Sequence, residues 1–223
     1  MKKPLLLAVL LGAAQPAWAD PFTLGLTQGA SVVTVVDNGA GDLSPAAGLI
    51  IFSGAVGVFV INVTTGISKP VFLSEAGVAE MDLNSVNVSS AAGTLKIELS
   101  DTDFLGSSFG GELTGMVGGT TEGTAEFWGY KDETNTLFGT SATSVHMGPF
   151  SPGAFGATDT VTHGPFADPY SLTLVAVITH GPGINATSFD FELDNNIVPE
   201  PATLLLLGAG LAGLGALRRR RCT

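Results

Sequence analysis

The sequence predicts an all-β body, an antiparallel β-sandwich or jelly-roll-like domain, flanked by a cleaved signal peptide and a C-terminal transmembrane helix. Three observations lead to this fold class. Apolar and polar residues alternate over short runs between residues 20 and 193, and Gly- or Pro-containing breaks separate these runs. No segment of this region keeps a helical repeat, whereas both ends of the chain carry continuous apolar runs beside basic residues.

The first nineteen residues predict a secretory signal peptide. Two lysines precede an apolar stretch over residues 5–14, and small side chains follow at Ala17 and Ala19. This three-part layout is the one that signal peptidase recognises. A retained anchor is the alternative, but an apolar core of about ten residues is short of the roughly twenty needed to span a bilayer. We therefore predict cleavage between Ala19 and Asp20.

Residues 20–193 predict a β-rich extracytoplasmic domain. In residues 94–100, Leu95, Ile97 and Leu99 point to one face and the two charged residues between them to the other, as in a half-buried strand. Alternation of this kind predicts six strands, over residues 31–36, 56–63, 94–100, 124–130, 170–180 and 187–193. The breaks are residues 37–41, 106–111, 118–123 and 164–169.

Charge and cysteine content limit what this body can do. Six of the chain's 9 basic residues lie in its terminal segments, and one of its 20 acidic residues is Glu200. Residues 20–198 therefore have three lysines against nineteen acids, a net charge of −16. Such a surface repels phosphate backbones, so nucleic acid is excluded as a partner. The single cysteine, Cys222, lies outside the body, so no disulfide can stabilise it.

Three histidines invite a metal hypothesis because imidazole is a common zinc ligand. His146, His163 and His180 are spaced 17 residues apart, and each precedes a Gly-Pro pair. A strand over residues 170–180 would carry the chain roughly 33 Å, which would separate His163 from His180. We therefore predict strand-end residues before turns, with no metal and no cofactor.

Other candidate chemistry in the body is sparse. Asp101 and Asp103 could offer calcium oxygens, but the spacing of an EF-hand loop is absent, and a solvated turn is the preferred interpretation. Nucleophile-elbow, zinc-protease and phosphate-loop motifs are also absent, so we predict no catalytic residues and no enzyme.

Two surface features give alternatives from the binding class. Trp128 and Tyr130 could stack on sugars, although aromatic residues more often pack in a core. Thr158, Thr160 and Thr162 could form one row of a flat threonine face for ice, and they fit an exposed strand equally well.

The C-terminal end has three parts. Residues 194–201 are predicted to be a linker, residues 202–217 an uncharged transmembrane helix, and residues 218–223 a basic cytoplasmic tail. The helix of sixteen residues would be roughly 24 Å long, which is short against a bilayer core of about 30 Å. Its cytoplasmic end is set by the arginines that follow it, Arg218, Arg219, Arg220 and Arg221.

This end of the chain resembles a known sorting signal. Pro199, Glu200 and Pro201, the apolar run after them and the arginine cluster look like the PEP-CTERM signal of Gram-negative bacteria. The resemblance covers about 26 residues and implies transient recognition and cleavage by an exosortase, a membrane protease. It also implies association with biofilm and exopolysaccharide. A similar segment occurs in some ice-binding proteins.

The sequence thus predicts an exported protein with signal peptidase and exosortase as partners. It would pass through the inner membrane as a single-pass intermediate and end at the cell surface or in the extracellular matrix. The alternatives are a carbohydrate- or calcium-binding adhesion module or an ice-binding protein.

Overall fold

The computed structural model describes residues 22–72, 78–106, 110–165 and 168–197. These ranges form twelve strands and no helix. In chain order they are β1 (Thr23–Gln28), β2 (Ser31–Val36), β3 (Leu49–Val56), β4 (Phe59–Ile67), β5 (Val78–Ser89), β6 (Gly93–Phe104), β7 (Gly111–Thr121), β8 (Thr124–Asp132), β9 (Thr143–Phe150), β10 (Gly153–His163), β11 (Tyr170–His180) and β12 (Asn185–Ile197).

The strands form two six-stranded antiparallel sheets. Sheet 1 has the order β2-β1-β6-β11-β8-β9, and sheet 2 has the order β10-β7-β12-β5-β4-β3. Their inner faces share one core, in which Phe127 of sheet 1 packs edge-on against Phe189 and Phe191 of sheet 2, with ring centroids 5.0 and 5.5 Å apart. The predicted all-β antiparallel sandwich is therefore confirmed for the described residues.

Alternation of side chains explains the strands that the sequence predicts well. Residues 31–36 and 170–180 coincide with β2 and β11, and the predictions over 94–100, 124–130 and 187–193 fall inside the longer β6, β8 and β12. β12 shows the pattern clearly, because Phe189, Phe191 and Leu193 are buried while the residues between them face outward.

Two of the predicted strand and break ranges are wrong. Residues 56–63 are not one strand, because the chain turns at Gly57, whose φ of 58° suits glycine, and separates β3 from β4. Residues 118–121 are not a break but the end of β7.

Glycines at 118 and 119 hide the end of β7 in the sequence. At other strand positions glycine is needed for packing. A Cβ at Gly129 would lie 2.3 Å from Leu193 Cδ1 of the opposite sheet, and one at Gly115 would lie 2.8 Å from Met147 Cε. At these positions glycine lets the two sheets approach each other.

The first four residues of the predicted linker, 194–197, lie in a strand. β12 continues through Ile197, and Asp194 and Asn195 pair with both β5 and β7. Residues 194–197 therefore belong to the sheet. Across the core, Asn195 Nδ2 donates a hydrogen bond of 3.1 Å to the hydroxyl of Tyr170, which begins β11. The end of the sandwich where β12 stops and β11 starts is called the terminal end below.

No helix within the described ranges has the length and apolar character needed to cross a membrane. The predicted signal peptide and the predicted helix over residues 202–217 both lie outside the described residues.

Candidate functional site

The predicted processing residues all lie outside the described ranges. They are Ala17, Ala19, Asp20, Pro199, Glu200, Pro201, Arg218, Arg219, Arg220 and Arg221. The described chain nevertheless fixes where the C-terminal segment starts. Ile197 is still paired with Gly111 of β7, two residues before Pro199, so the segment begins directly at the terminal end of a paired central strand.

The outer face of sheet 2 carries a cluster of carboxylates. Glu80 and Asp82 on β5 lie opposite Asp194 and Glu192 on β12, and Asp190 follows on the same face. One oxygen each of Glu80, Glu192 and Asp194 lie within 4.8 Å of one another. We call these five residues the acidic face.

Burial and mutual repulsion disturb the ionisation of this cluster. Partial burial, with repulsion from Asp190, Glu192 and Glu80, raises the pKa of Asp82 to about 7. Burial and the charge of Glu192 raise the pKa of Asp194 to about 6, and burial followed by Asp194 and Glu192 raises the pKa of Glu80. Near neutral pH the face therefore holds protons that isolated carboxylates would release.

The lysines of the body do not relieve this repulsion. Lys69 forms an ion pair with Asp101 at 2.9 Å, and Lys96 with Glu98 at 2.6 Å on the outer face of sheet 1. Lys131 points into the core and is fully buried. The acidic face is thus an uncompensated negative surface.

An open trough of about 660 Å³ adjoins the acidic face. Asp190 and Glu192 form one wall, and Met116 and Thr158 contribute to the lining. Its floor includes Gly118 and Gly156, where an added Cβ would meet no atom closer than 4.0 and 3.5 Å. Packing does not require glycine at these two positions, and side chains there would occupy the trough. In the sequence, only the alternating acids of β12 point to this site.

The outer face of sheet 1 carries the aromatic residues that the sequence singled out. Trp128 stacks on His146 with ring centroids 4.9 Å apart, and His146 Nε2 lies 2.8 Å from a carboxylate oxygen of Glu126. Trp128 and Tyr130 are half-buried and face outward rather than into the core. One ring face of Trp128 is therefore covered by imidazole.

The three histidines do not come together. His163 and His180 end β10 and β11, as predicted, whereas His146 lies within β9, so the strand-end prediction is wrong for it. Buried His180 is held by Ser89 and Thr187, each 2.8 Å from a ring nitrogen. His163 instead contacts Asn195 at the terminal end.

Asp101 and Asp103 are not in a solvated turn. Both lie in β6, where Asp101 is buried and accepts hydrogen bonds from Ser68 Oγ at 2.6 Å and Lys69 Nζ at 2.9 Å. Asp103 accepts from Asn135 Nδ2 at 2.7 Å. The prediction of a solvated turn is therefore wrong. The two carboxylates bond to different partners and stabilise the fold.

The threonine row faces solvent on the edge strand β10. Its neighbours on β7 are Met116, Thr114 and Glu112, and the Thr160 and Thr114 hydroxyls lie 3.1 Å apart. The next strand thus extends the row by one threonine only.

Fold and site together define a two-sheet β-sandwich whose last strand runs directly into a C-terminal sorting segment. Residues 198–221 match the PEP-CTERM protein-sorting motif, which confirms the resemblance seen in the sequence. That motif implies export, sorting to the cell surface and processing by an exosortase. The match covers the terminal segment and not the body.

Curated proteins gave no match to this chain. Solved structures gave distant likenesses. TmCBM61, determined in complex with beta-1,4-galactotriose, is 7% identical with a TM-score of 0.35, covering 72% of this chain and 94% of its own. TmCBM27, a carbohydrate-binding module studied for mannan recognition, is 7% identical with a TM-score of 0.26, covering 60% and 97%.

A third likeness is to the exo-1,3/1,4-beta-glucanase of a Pseudoalteromonas species, at 11% identity and a TM-score of 0.30, covering 87% of this chain and 22% of that one. At these TM-scores the likenesses carry no functional assignment. The fold described above rests on the strand pairing of this chain alone.

Proposed function

We propose that this chain is an exported cell-surface or extracellular-matrix protein that an exosortase sorts and cleaves at Pro199–Pro201. The observation that carries the proposal is the match of residues 198–221 to the PEP-CTERM motif. Signal peptidase would act first, between Ala19 and Asp20, and the exosortase would be a transient partner.

The chemistry of the segment supports cleavage there. Prolines at 199 and 201 fix their own φ and disfavour helix in the residues before them, so the tripeptide favours an extended backbone that a protease can bind. The apolar run over 202–217 is short for a bilayer, which suits a temporary single-pass intermediate in the inner membrane.

The body suits a destination outside the cell. Its net charge favours solubility, and its core forms without any disulfide. We further propose a non-enzymatic role, in association with biofilm or exopolysaccharide. The resemblance to the PEP-CTERM family supports that association, and the absence of nucleophile, zinc-protease and phosphate-loop motifs in the sequence supports the non-enzymatic role.

Replacing the tripeptide tests this proposal. In a Gram-negative host with an exosortase, the variant with Pro199→Ala, Glu200→Ala and Pro201→Ala should remain in the inner-membrane fraction while the unaltered chain reaches the surface. Pro152→Ala, at an exposed turn between β9 and β10, is the matched control and should sort normally. Equal surface delivery of the triple variant would contradict the proposal.

The trough favours a second candidate function, a carbohydrate-binding adhesion module. Carboxylates of Asp190 and Glu192 can accept hydrogen bonds from sugar hydroxyls, and the floor is kept open by two glycines that packing does not require. The distinguishing variant is Gly118→Val, which should fill the trough and abolish glycan binding without unfolding the sheet.

The glycan assay needs two further arms. Trp128→Ala separates binding at the trough from stacking on sheet 1, since only the latter should lose affinity. Binding measured with and without calcium separates direct sugar recognition from a calcium-binding module. Absence of binding to every glycan in both conditions would count against this candidate and leave the sorting proposal untouched.

A further inference from the structure

A polar group buried between the sheets lies at the terminal end of the sandwich. Lys131 enters from β8 and Tyr170 from β11 of sheet 1, while Asn195 enters from β12 and His163 from β10 of sheet 2. Lys131 and Tyr170 are fully buried and Asn195 is 1% exposed. Neither the sorting segment nor the trough uses these residues.

The amine and the amide of this group are in contact. Lys131 Nζ lies 3.2 Å from Asn195 Oδ1, and since a carbonyl bond is about 1.2 Å long, Nζ lies within roughly 4.4 Å of Asn195 Cγ. The ring of Tyr170 is 4.2 Å from Nζ and its hydroxyl is 3.1 Å from Asn195 Nδ2. The aromatic ring and the strand pairing on both sides hold the two groups together.

We propose that Lys131 and Asn195 form an intramolecular isopeptide bond that joins sheet 1 to sheet 2. The Lys131 nitrogen bonds to Asn195 Cγ, the Cγ–Nδ2 bond breaks, and one ammonia leaves. No oxidant, reductant or cofactor is required, because an amide replaces an amide.

The reaction needs a neutral amine, and the burial of Lys131 favours one. Loss of hydration lowers the pKa of Lys131 to about 8, against the opposing charges of Asp168 and Glu133. A useful fraction of the amine is therefore uncharged in mildly alkaline solution. Fixing a buried nucleophile beside its target replaces a bimolecular encounter with an intramolecular step.

His163 is placed to move the protons. Its Nδ1 donates to the Gly164 carbonyl at 2.9 Å, which leaves Nε2 between the reacting groups, 3.3 Å from Lys131 Nζ and 2.7 Å from Asn195 Oδ1. A proton passed from the lysine ammonium to Nε2 leaves a neutral amine and creates an N–H that polarises the amide oxygen.

The remaining protons balance. After attack on Cγ, the Lys131 nitrogen gives up one proton and the departing Asn195 nitrogen gains it, so that ammonia leaves. The proton held by His163 then passes to ammonia, which departs as ammonium. Lysine ammonium and carboxamide are thereby converted to a secondary amide and an ammonium ion.

The bond would lie on the path of any force applied to the C-terminus. Asn195 is on β12, four residues before Pro199, and Lys131 is 64 residues earlier on the opposite sheet. A pull on the sorting segment would pass from Asn195 directly into β8, and β12 could not be stripped from sheet 2. This consequence holds whatever ligand or address the body has.

Mass spectrometry of the full chain, purified from an exporting host, tests the bond. Once both termini have been sequenced, the intact mass should be about 17 Da below that of the mature chain, the mass of one ammonia. Cleavage after glutamate should release residues 127–133 covalently joined to the peptide that starts at residue 193. A full mass with two separate linear peptides would overturn the proposal.

Variants distinguish the isopeptide bond from other reactions that release ammonia. Lys131→Arg should abolish the deficit, and Lys69→Arg, at a half-buried lysine that pairs with Asp101, should keep it. His163→Gln should slow formation at least tenfold. A deficit that persists in Lys131→Arg would indicate a succinimide at asparagine and contradict the bond, and if this variant does not fold, the joined peptides of the unaltered chain still decide.

Discussion

The inward-facing and outward-facing polar residues of β12 have opposite kinds of neighbours. Asn195 points inward and meets an amine, an imidazole and a phenol, each able to complement its amide. Asp194, the preceding residue, points outward and meets Glu80 and Glu192, which carry the same charge. Complementary partners make the inner group rigid, whereas the outer group depends on protons, water or a bound partner to relieve its repulsion.

The largest expected effect on stability comes from truncating a core side chain on the inner side of this strand. Phe191 is fully buried and packs against Phe127, so Phe191→Ala should lower the free energy of unfolding by about 3–5 kcal/mol. Urea denaturation measures it. Glu192→Ala, one residue along on the outer side, is the matched control and should not destabilise the fold. Equal losses in both variants would remove the contrast between the two sides.

The outer side should gain stability when a charge is removed. Asp82→Asn keeps the shape and the contact with Asn84 at 2.5 Å while removing the cost of burying a charge and the repulsion by Asp190 and Glu192. We expect a gain of about 1–2 kcal/mol at pH 8, discounted for partial exposure to solvent. Thermal unfolding at low and high salt separates the two causes, because screening should shrink only the part of the gain that comes from repulsion.

The pH dependence should have a defined sign. The pKa of Asp82 is raised in the folded chain to about 7, so the folded state binds protons that the unfolded state has released. Its stabilising contribution is complete below about pH 4 and is lost as pH rises through 7. The temperature midpoint of unfolding should therefore decrease as the pH rises from about 4 to 7.5. The decrease should be smaller in Asp82→Asn. A midpoint that rises over this range would contradict the cluster.

The smallest effect is expected at the exposed threonine row. Thr160→Val removes a hydroxyl that pairs with Thr114 at the solvent-exposed edge, and valine keeps the β-branched shape. The free energy of unfolding should change by less than about 0.5 kcal/mol. A larger loss would show that β10 has contacts beyond those of an edge strand.

The fold class could be predicted because it follows from alternation and from the lack of helical repeats. The predicted bounds of β2 and β11 match the observed bounds at every residue, because β-branched and apolar residues fill both strands. It misses β7 and β10 because glycines at 115, 118, 119 and 156 remove the very side chains on which alternation depends. It also misses β1, β3 and β9, where glycine or neighbouring apolar residues interrupt the alternation, and β5, whose second half turns Val86 outward and Ser85 and Asn87 inward.

The sites depend on register, which the sequence does not display. The acids of β12 can be recognised as a solvent face, but their neighbours on β5 follow from the pairing of Glu192 with Asp82. The contact of Lys131 with Asn195 joins strands of different sheets and depends on the closure of the sandwich. The sorting segment needs no structure, because order along the chain defines it.

The central claim is that the chain is cut where β12 gives way to the sorting segment. C-terminal peptide mapping of the exported protein, from a host with an exosortase, tests it most directly. We predict a new C-terminus at or next to Pro199–Pro201, and loss of that terminus when the exosortase gene is deleted. An intact tail through Arg221 in all surface material would contradict the account.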